Sequence, residues 1–161
     1  MQKRESFYAE LCEVQNQGWQ PAPREYSTLT FCNSSTYLIG GQNYNTNKEI
    51  AKLSIGGVYN NSEWNNVPFH TNDDKLQGRC RHSACAYNQK IYVFGGSYMY
   101  SRKRQVRECI NQIFVFDTIQ RTFNYLRPKG ISVQERKDHS ACVYGKYMIS
   151  TVLIWWILLS R

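Results

Sequence analysis

The chain has 161 residues, with 20 Lys and Arg against 12 Asp and Glu, and a formal net charge of +8. That length allows one ordinary domain with a sizeable core, and 14% aromatic content, with 12 Tyr and 7 Phe, favours strands over disorder. Met1 to Ser6 are charged and lead into no apolar run, which argues against a secretory signal and for a cytoplasmic setting, where six Cys are expected as buried free thiols.

From the N-terminus, Phe7 to Val14 reads as one strand, and Trp19, followed by Pro21 and Pro23, as another strand and its exit. A first complete unit then opens at Arg24. Its strands are expected at Leu29 to Cys32, Tyr37 to Ile39, Ile50 to Ile55 and Glu63 to Val67. The second unit opens at Arg79 and gives the clearest pattern: Ser83 to Tyr87, Ile91 to Phe94, Ile113 to Phe116 and Thr122 to Leu126. A third opens at Arg136. Arg79-Cys-Arg-His82-Ser-Ala-Cys85 and Arg136-Lys-Asp-His139-Ser-Ala-Cys142 are near copies, and Arg24 leads to Gly40-Gly41 over the same 16 residues that separate Arg79 from Gly95. The openings lie 55 and then 57 residues apart, and a fixed period of this size marks a repeat architecture.

The diglycines Gly40-Gly41 and Gly95-Gly96, the Arg-x-x-His-Ser-Ala openings and the aromatic residues Trp19, Trp64 and Phe123 on fourth strands resemble the kelch repeat, over roughly residues 6 to 149. The resemblance implies an all-β fold, a partial β-propeller of four-stranded antiparallel blades. It divides the chain into a partial blade at 1–23, repeats at 24–78 and 79–135, and a partial repeat at 136–161 with an aberrant apolar end. About three blades result, fewer than the roughly four to eight that close a ring. Further blades or a second chain are therefore expected. The glycines are expected where inner strands crowd and φ turns positive.

No glycine follows Lys146 to Ile149. Instead Val152 to Leu159 is an apolar run, far short of the roughly 20 residues that span a bilayer. A buried strand is one expectation. An out-of-frame ending is the other, since the codons of Ser150-Thr151-Val152 read one base earlier can spell Phe-Tyr-Gly.

His82 with Cys85, and His139 with Cys142, have zinc-ligand chemistry but the wrong spacing, since residues three apart on a strand point to opposite faces. Arg and His at the repeat positions Arg24, Arg79, His82, Arg136 and His139 are better read as structural, bonding turn carbonyls along an inter-blade edge. There is no nucleophile elbow, phosphate loop or His-Glu-x-x-His, so neither catalysis nor a metal or cofactor is expected. Asp73-Asp74 reads as an exposed turn. As a kelch-like module the chain is expected to bind a protein partner. The candidate surface is the loop from Ser97 to Cys109, with Tyr98, Tyr100, Arg102, Lys103, Arg104 and Arg107, because Tyr and Arg are favoured at binding hot spots and an acidic partner would match the charge. A propeller-based enzyme is one alternative. A basic-loop binder of nucleic acid is the other, disfavoured because the charge is not otherwise clustered.

Overall fold

A computed structural model describes residues 19–42, 55–60, 63–71, 78–97, 109–127, 129, 133–151 and 155–158. Twelve strands form three sheets among these residues.

The first sheet orders β1 (Thr28–Cys32), β2 (Ser35–Ile39), β3 (Ile55–Asn60) and β4 (Glu63–Asn65) as an antiparallel meander. The second runs β6 (Ser83–Tyr87), β7 (Lys90–Phe94), β8 (Ile113–Asp117), β9 (Thr122–Leu126), and adds β5 (His70–Thr71) outside β9. The third joins β10 (Ala141–Tyr144), β11 (Tyr147–Ser150) and β12 (Trp155–Leu158). Two-residue turns close the first hairpin of the first two sheets. Asn33 and Ser34 (φ 50° and 60°), and Asn88 and Gln89 (φ 47° and 60°), hold the left-handed geometry that matches strand twist. In the third sheet Gly145 (φ 56°) opens the equivalent turn.

The core lies between sheets. Every residue of β8 is buried, because one of its faces packs toward the first sheet and the other toward the third. Phe114 and Phe116 join Ile91, Val93 and Phe123 against Cys32, Tyr37 and Ile39. Their alternates Ile113 and Val115, with Tyr92, Phe94 and Cys85, meet Val133 and Met148. This two-sided burial explains why Ile113 to Phe116 reads as an unbroken apolar run rather than an alternation.

Four details depart from the sequence expectation. The third strand of the first sheet is Ile55–Asn60, beginning where the expected Ile50 to Ile55 ends. Gly56-Gly57 lies within the strand. Leu38 pairs with Gly57 and Ile39 with Ile55, so Gly56 is the extra residue of a bulge, a position that suits glycine. The fourth strand of that sheet stops at Asn65 rather than Val67. Trp19 stands in irregular chain, 45% exposed, and not on a strand; the expected strand over 7–14 lies outside the described residues. Finally, β5 was not anticipated. It pairs in parallel with the outer edge of β9, and the Phe69 ring meets Phe123 edge-on at 5.1 Å.

At the C-terminus, Trp155–Leu158 pairs with β11 from Tyr147↔Leu158 to Ser150↔Trp155. Part of the apolar run thus forms the third strand of this sheet.

Candidate functional site at the inter-sheet seams and the loop face

The recurring Arg opens each sheet by bonding the end of its own second strand. Arg24 Nη1 donates to the Gly40 carbonyl at 3.1 Å, Arg79 Nη1 to that of Gly95 at 3.3 Å, and Arg136 Nη1 to that of Thr151 at 3.2 Å. Arg79 is fully buried, which strips its charge of solvent. Its cost is offset by Gln112, whose Oε1 accepts from Nη2 at 3.3 Å, and by the Phe114 face 4.6 Å from its guanidinium carbon.

The main chain of the same segment reaches across the seam. Gly41 N–H donates to the Arg79 carbonyl at 3.0 Å, and Gly96 N–H to that of Arg136 at 2.8 Å. Beside these bonds sit the two histidines. His82 Nε2 lies 3.0 Å from Thr28 Oγ1 of the first sheet, and His139 Nε2 lies 2.8 Å from Ser83 Oγ of the second. Each ring enters the notch left by a diglycine. A Cβ on Gly40 would stand 2.7 Å from His82 Cε1, and one on Gly95 would stand 2.9 Å from His139 Cε1. Burial, then the Arg79 and His139 charges, push the His82 imidazole down to about 3, against a smaller opposing effect of the Ile39 backbone. Burial and Arg136 also lower His139. Both imidazoles are neutral at physiological pH.

Of the described cysteines, Cys32, Cys80 and Cys85 are buried as expected, whereas Cys109 is half-buried and Cys142 is exposed. Cys85 lies in the core between the second and third sheets, and burial, reinforced by Cys142, pushes its thiol up to about 11. Burial also raises Cys32. As protonated thiols neither is a ready nucleophile or metal ligand. The five described cysteines are free, and no group of three or more His, Cys, Asp or Glu converges among the described residues.

A second repeating contact lies at the exposed mouth of the seams, and sequence reasoning missed it. Tyr26, Arg81 and Asp138 hold the same place in successive repeats, two residues after Arg24, Arg79 and Arg136, all with left-handed backbone (φ 57°, 62° and 53°). Arg81 N–H donates to the Tyr26 carbonyl and Asp138 N–H to that of Arg81, each at 3.0 Å. Their side chains form a matching ladder. Arg81 stacks over the Tyr26 ring at 3.7 Å, and its Nη1 bonds both Asp138 oxygens at 2.9 and 3.0 Å. Three unlike residue types occupy one column, so similarity between copies could not mark it. The opposite charges of Arg81 and Asp138, one repeat apart, were the available signal.

The two ends of the expected binding loop, Ser97 and Cys109, are described. Its base is pinned by Ser97, which is fully buried and bridges Cys80 on one side and Cys109 on the other. Cys80 directly precedes Arg81, so the loop base adjoins the ladder. Tyr98, Tyr100, Arg102, Lys103, Arg104 and Arg107 themselves lie outside the described residues. Of the aromatic repeat positions, Phe123 is fully buried in the first inter-sheet core, and Trp64 on β4 is half-buried.

The sequence model of the KLHDC2/KLHL20/DRC7 kelch-repeats domain matches residues 8–151. The chain belongs to the kelch-repeat family. Its three sheets are accordingly blades of a partial kelch-type β-propeller, and the seams are the blade-to-blade contacts. Kelch domains are generally protein-interaction modules. Among curated proteins, the chain is similar to Ras guanine nucleotide exchange factor F of Dictyostelium discoideum, 26% identical over 84% of this chain and 11% of that protein. It is also similar to Kelch domain-containing protein 3 of Homo sapiens, 25% identical over 78% of this chain and 33% of that protein. Rho GTPase-activating protein gacHH of Dictyostelium discoideum is 23% identical over 74% of this chain and 8% of its own length. The kelch chain thus spans a third or less of these relatives. Among its described residues no helix is long and apolar enough to cross a membrane.

Proposed function

We propose that this kelch chain is a non-catalytic protein-interaction module of the cytoplasm, contacting its partner with the face that carries the Ser97 to Cys109 loop. The observation that carries the reading is the anchored loop base. Ser97, which opens the loop and is bridged to Cys80 and Cys109, lies next to the exposed Tyr26–Arg81–Asp138 ladder through Cys80, and that proximity supports a recognition surface shared by the two. The loop's Arg102, Lys103, Arg104 and Arg107 suit an acidic partner, with Tyr98 and Tyr100 supplying apolar contact. The blade division is proposed as 1–23, 24–78, 79–135 and 136–161, with further blades or a second chain completing the ring.

The test is quantitative affinity purification of the wild-type chain beside an Arg102→Glu/Arg104→Glu variant. Loss of a defined set of protein partners supports the loop. An unchanged set removes it. Retention of nucleic acid by the wild type, lost with the same variant and in raised salt, would move the loop to the nucleic-acid alternative.

A further inference from the structure

We infer that Cys80 is a positioning residue, whose thiol ties the base of the Ser97 to Cys109 loop to the base of the β2–β3 connection, so that a partner held at one restrains the other. The inference rests on the reading of that loop as a recognition surface.

The two bases are built alike. Gln42 follows Gly40-Gly41 and Ser97 follows Gly95-Gly96, each where the second strand of a blade gives way to the connection toward the third. Each is held by a pair of main-chain bonds to the residue after the opening Arg of its repeat. Gln42 N–H donates to the Glu25 carbonyl and Glu25 N–H to that of Gln42, both at 2.9 Å. Ser97 N–H donates to the Cys80 carbonyl at 2.9 Å, and Cys80 N–H to that of Ser97 at 3.2 Å. The two connections therefore start from equivalent places on successive blades, and Gln42 and Ser97 are both buried.

Between these bases stands the Cys80 side chain, which is fully buried as well. Its Sγ lies 3.6 Å from Gln42 Oε1 in the first blade and 3.6 Å from Ser97 Oγ in its own. A thiol has a single proton and a sulfur that accepts weakly. With S–H donated to Gln42, the Ser97 hydroxyl donates to the sulfur, and the three groups make one buried polar chain that crosses the seam. Members of such a chain strengthen one another, so removing the sulfur breaks it at both ends.

The next seam repeats the main-chain contact but not this link. Gly41 N–H to the Arg79 carbonyl recurs there as Gly96 N–H to the Arg136 carbonyl. The place of Cys80, however, belongs to Lys137, which is exposed. The side-chain link is thus particular to the first seam, and it pairs the β2–β3 connection with the proposed recognition loop.

The test is limited trypsin digestion of the folded chain, with cut sites located by mass spectrometry. Cutting at Arg102, Lys103 and Arg104 reports the recognition loop, and cutting at Lys48 the β2–β3 connection. Cutting at Arg79, a fully buried residue, reports unfolding of the whole chain and sets the baseline. Gln42→Ala, or the gentler Gln42→Asn, is expected to speed cutting at 102–104 by about threefold to tenfold, although the substitution lies in the other blade. Ser97→Ala should speed cutting at Lys48 in return. In a Cys80→Ala background, Gln42→Ala is expected to leave the rate at 102–104 unchanged, because the link is already gone. A packing role for Cys80 alone would not produce that dependence. An unchanged rate at 102–104 in both Gln42 variants, a rise no larger than that at Arg79, or the same rise in the Cys80→Ala background would each overturn the inference. The digestion needs no partner, so its outcome is separate from whether Arg102→Glu/Arg104→Glu alters capture.

Discussion

His82 of the second blade occupies the space that a side chain on Gly40 of the first would need: a Cβ there would lie 2.7 Å from the imidazole Cε1 and 2.5 Å from the Arg79 carbonyl oxygen. The glycine and the histidine, 42 residues apart, are two halves of one contact. Gly40→Ala is therefore expected to cost about 2–4 kcal/mol, from the left-handed φ of 61° together with a clash into backbone. Gly145→Ala is the control. That residue also has positive φ (56°) but nothing within 4 Å, so about 1 kcal/mol is expected. Denaturant midpoints of the two variants check the difference.

The same histidine makes stability depend on pH. Its folded-state value is pushed from 6.5 down to about 3. Above about pH 6.5 both folded and unfolded chains carry it neutral, and its burial has no proton-linked cost. As pH falls from there toward 3, the unfolded chain binds a proton that the folded chain refuses, so stability falls. The loss expected from His82 between about pH 7.5 and 5.5 is on the order of 1 kcal/mol. His139, shifted in the same direction, adds to it. Urea titrations at the two pH values should show the loss, and His82→Gln should reduce the pH slope whatever it does to stability at neutral pH.

In the Arg81–Asp138 pair one guanidinium nitrogen serves both carboxylate oxygens, and the pair is open to solvent, with side chains 22% and 47% exposed. A double-mutant cycle on Arg81→Ala and Asp138→Ala is expected to give a coupling of about 0.2–1 kcal/mol, shrinking in high salt. A coupling of several kcal/mol would show that the ladder, rather than the buried seam, holds the second and third blades together.

Asp117 closes the outer turn of the second blade. Its Oδ1 accepts from the Ile119 and Gln120 N–H groups at 3.0 and 2.9 Å, and its Oδ2 meets Lys90 Nζ. Asp117→Ala removes these acceptors at a buried position and is expected to cost about 1–3 kcal/mol, measured by thermal unfolding. Lys90→Ala should cost much less, since the backbone donors keep their acceptor.

Much of the architecture was legible because burial on two sides writes itself into composition. Ile113 to Phe116 and Ile91 to Phe94 are apolar throughout, and the paired Gly residues punctuate their ends at a fixed interval. The first blade was harder to read at β3, where a bulge puts Gly56-Gly57 inside a strand and the residue pattern resembles a turn. The aromatic rule that fits Phe123 failed at Trp19, which has no strand beneath it in the described chain. At the seams, the Arg side chains do bond carbonyls at the ends of second strands. The histidines instead reach hydroxyls of the preceding blade, and that distinction depends on which blade lies across the gap. A repeat shows that a position recurs but not what it touches. The Tyr26–Arg81–Asp138 ladder was hidden for the complementary reason, since its geometry recurs while its residue types do not.

The direction in which the histidines point has a consequence for the order of events as the chain is made. Each notch belongs to the earlier blade and is filled only by the later one, so the segment around Gly40 stays incomplete until His82 has emerged, and Gly95 until His139. Synthesis from the N-terminus thus leaves one unfinished edge at a time, always at the growing end. The first and second blades are each sealed by their successor, and a pause within a repeat would expose a single seam instead of the whole core.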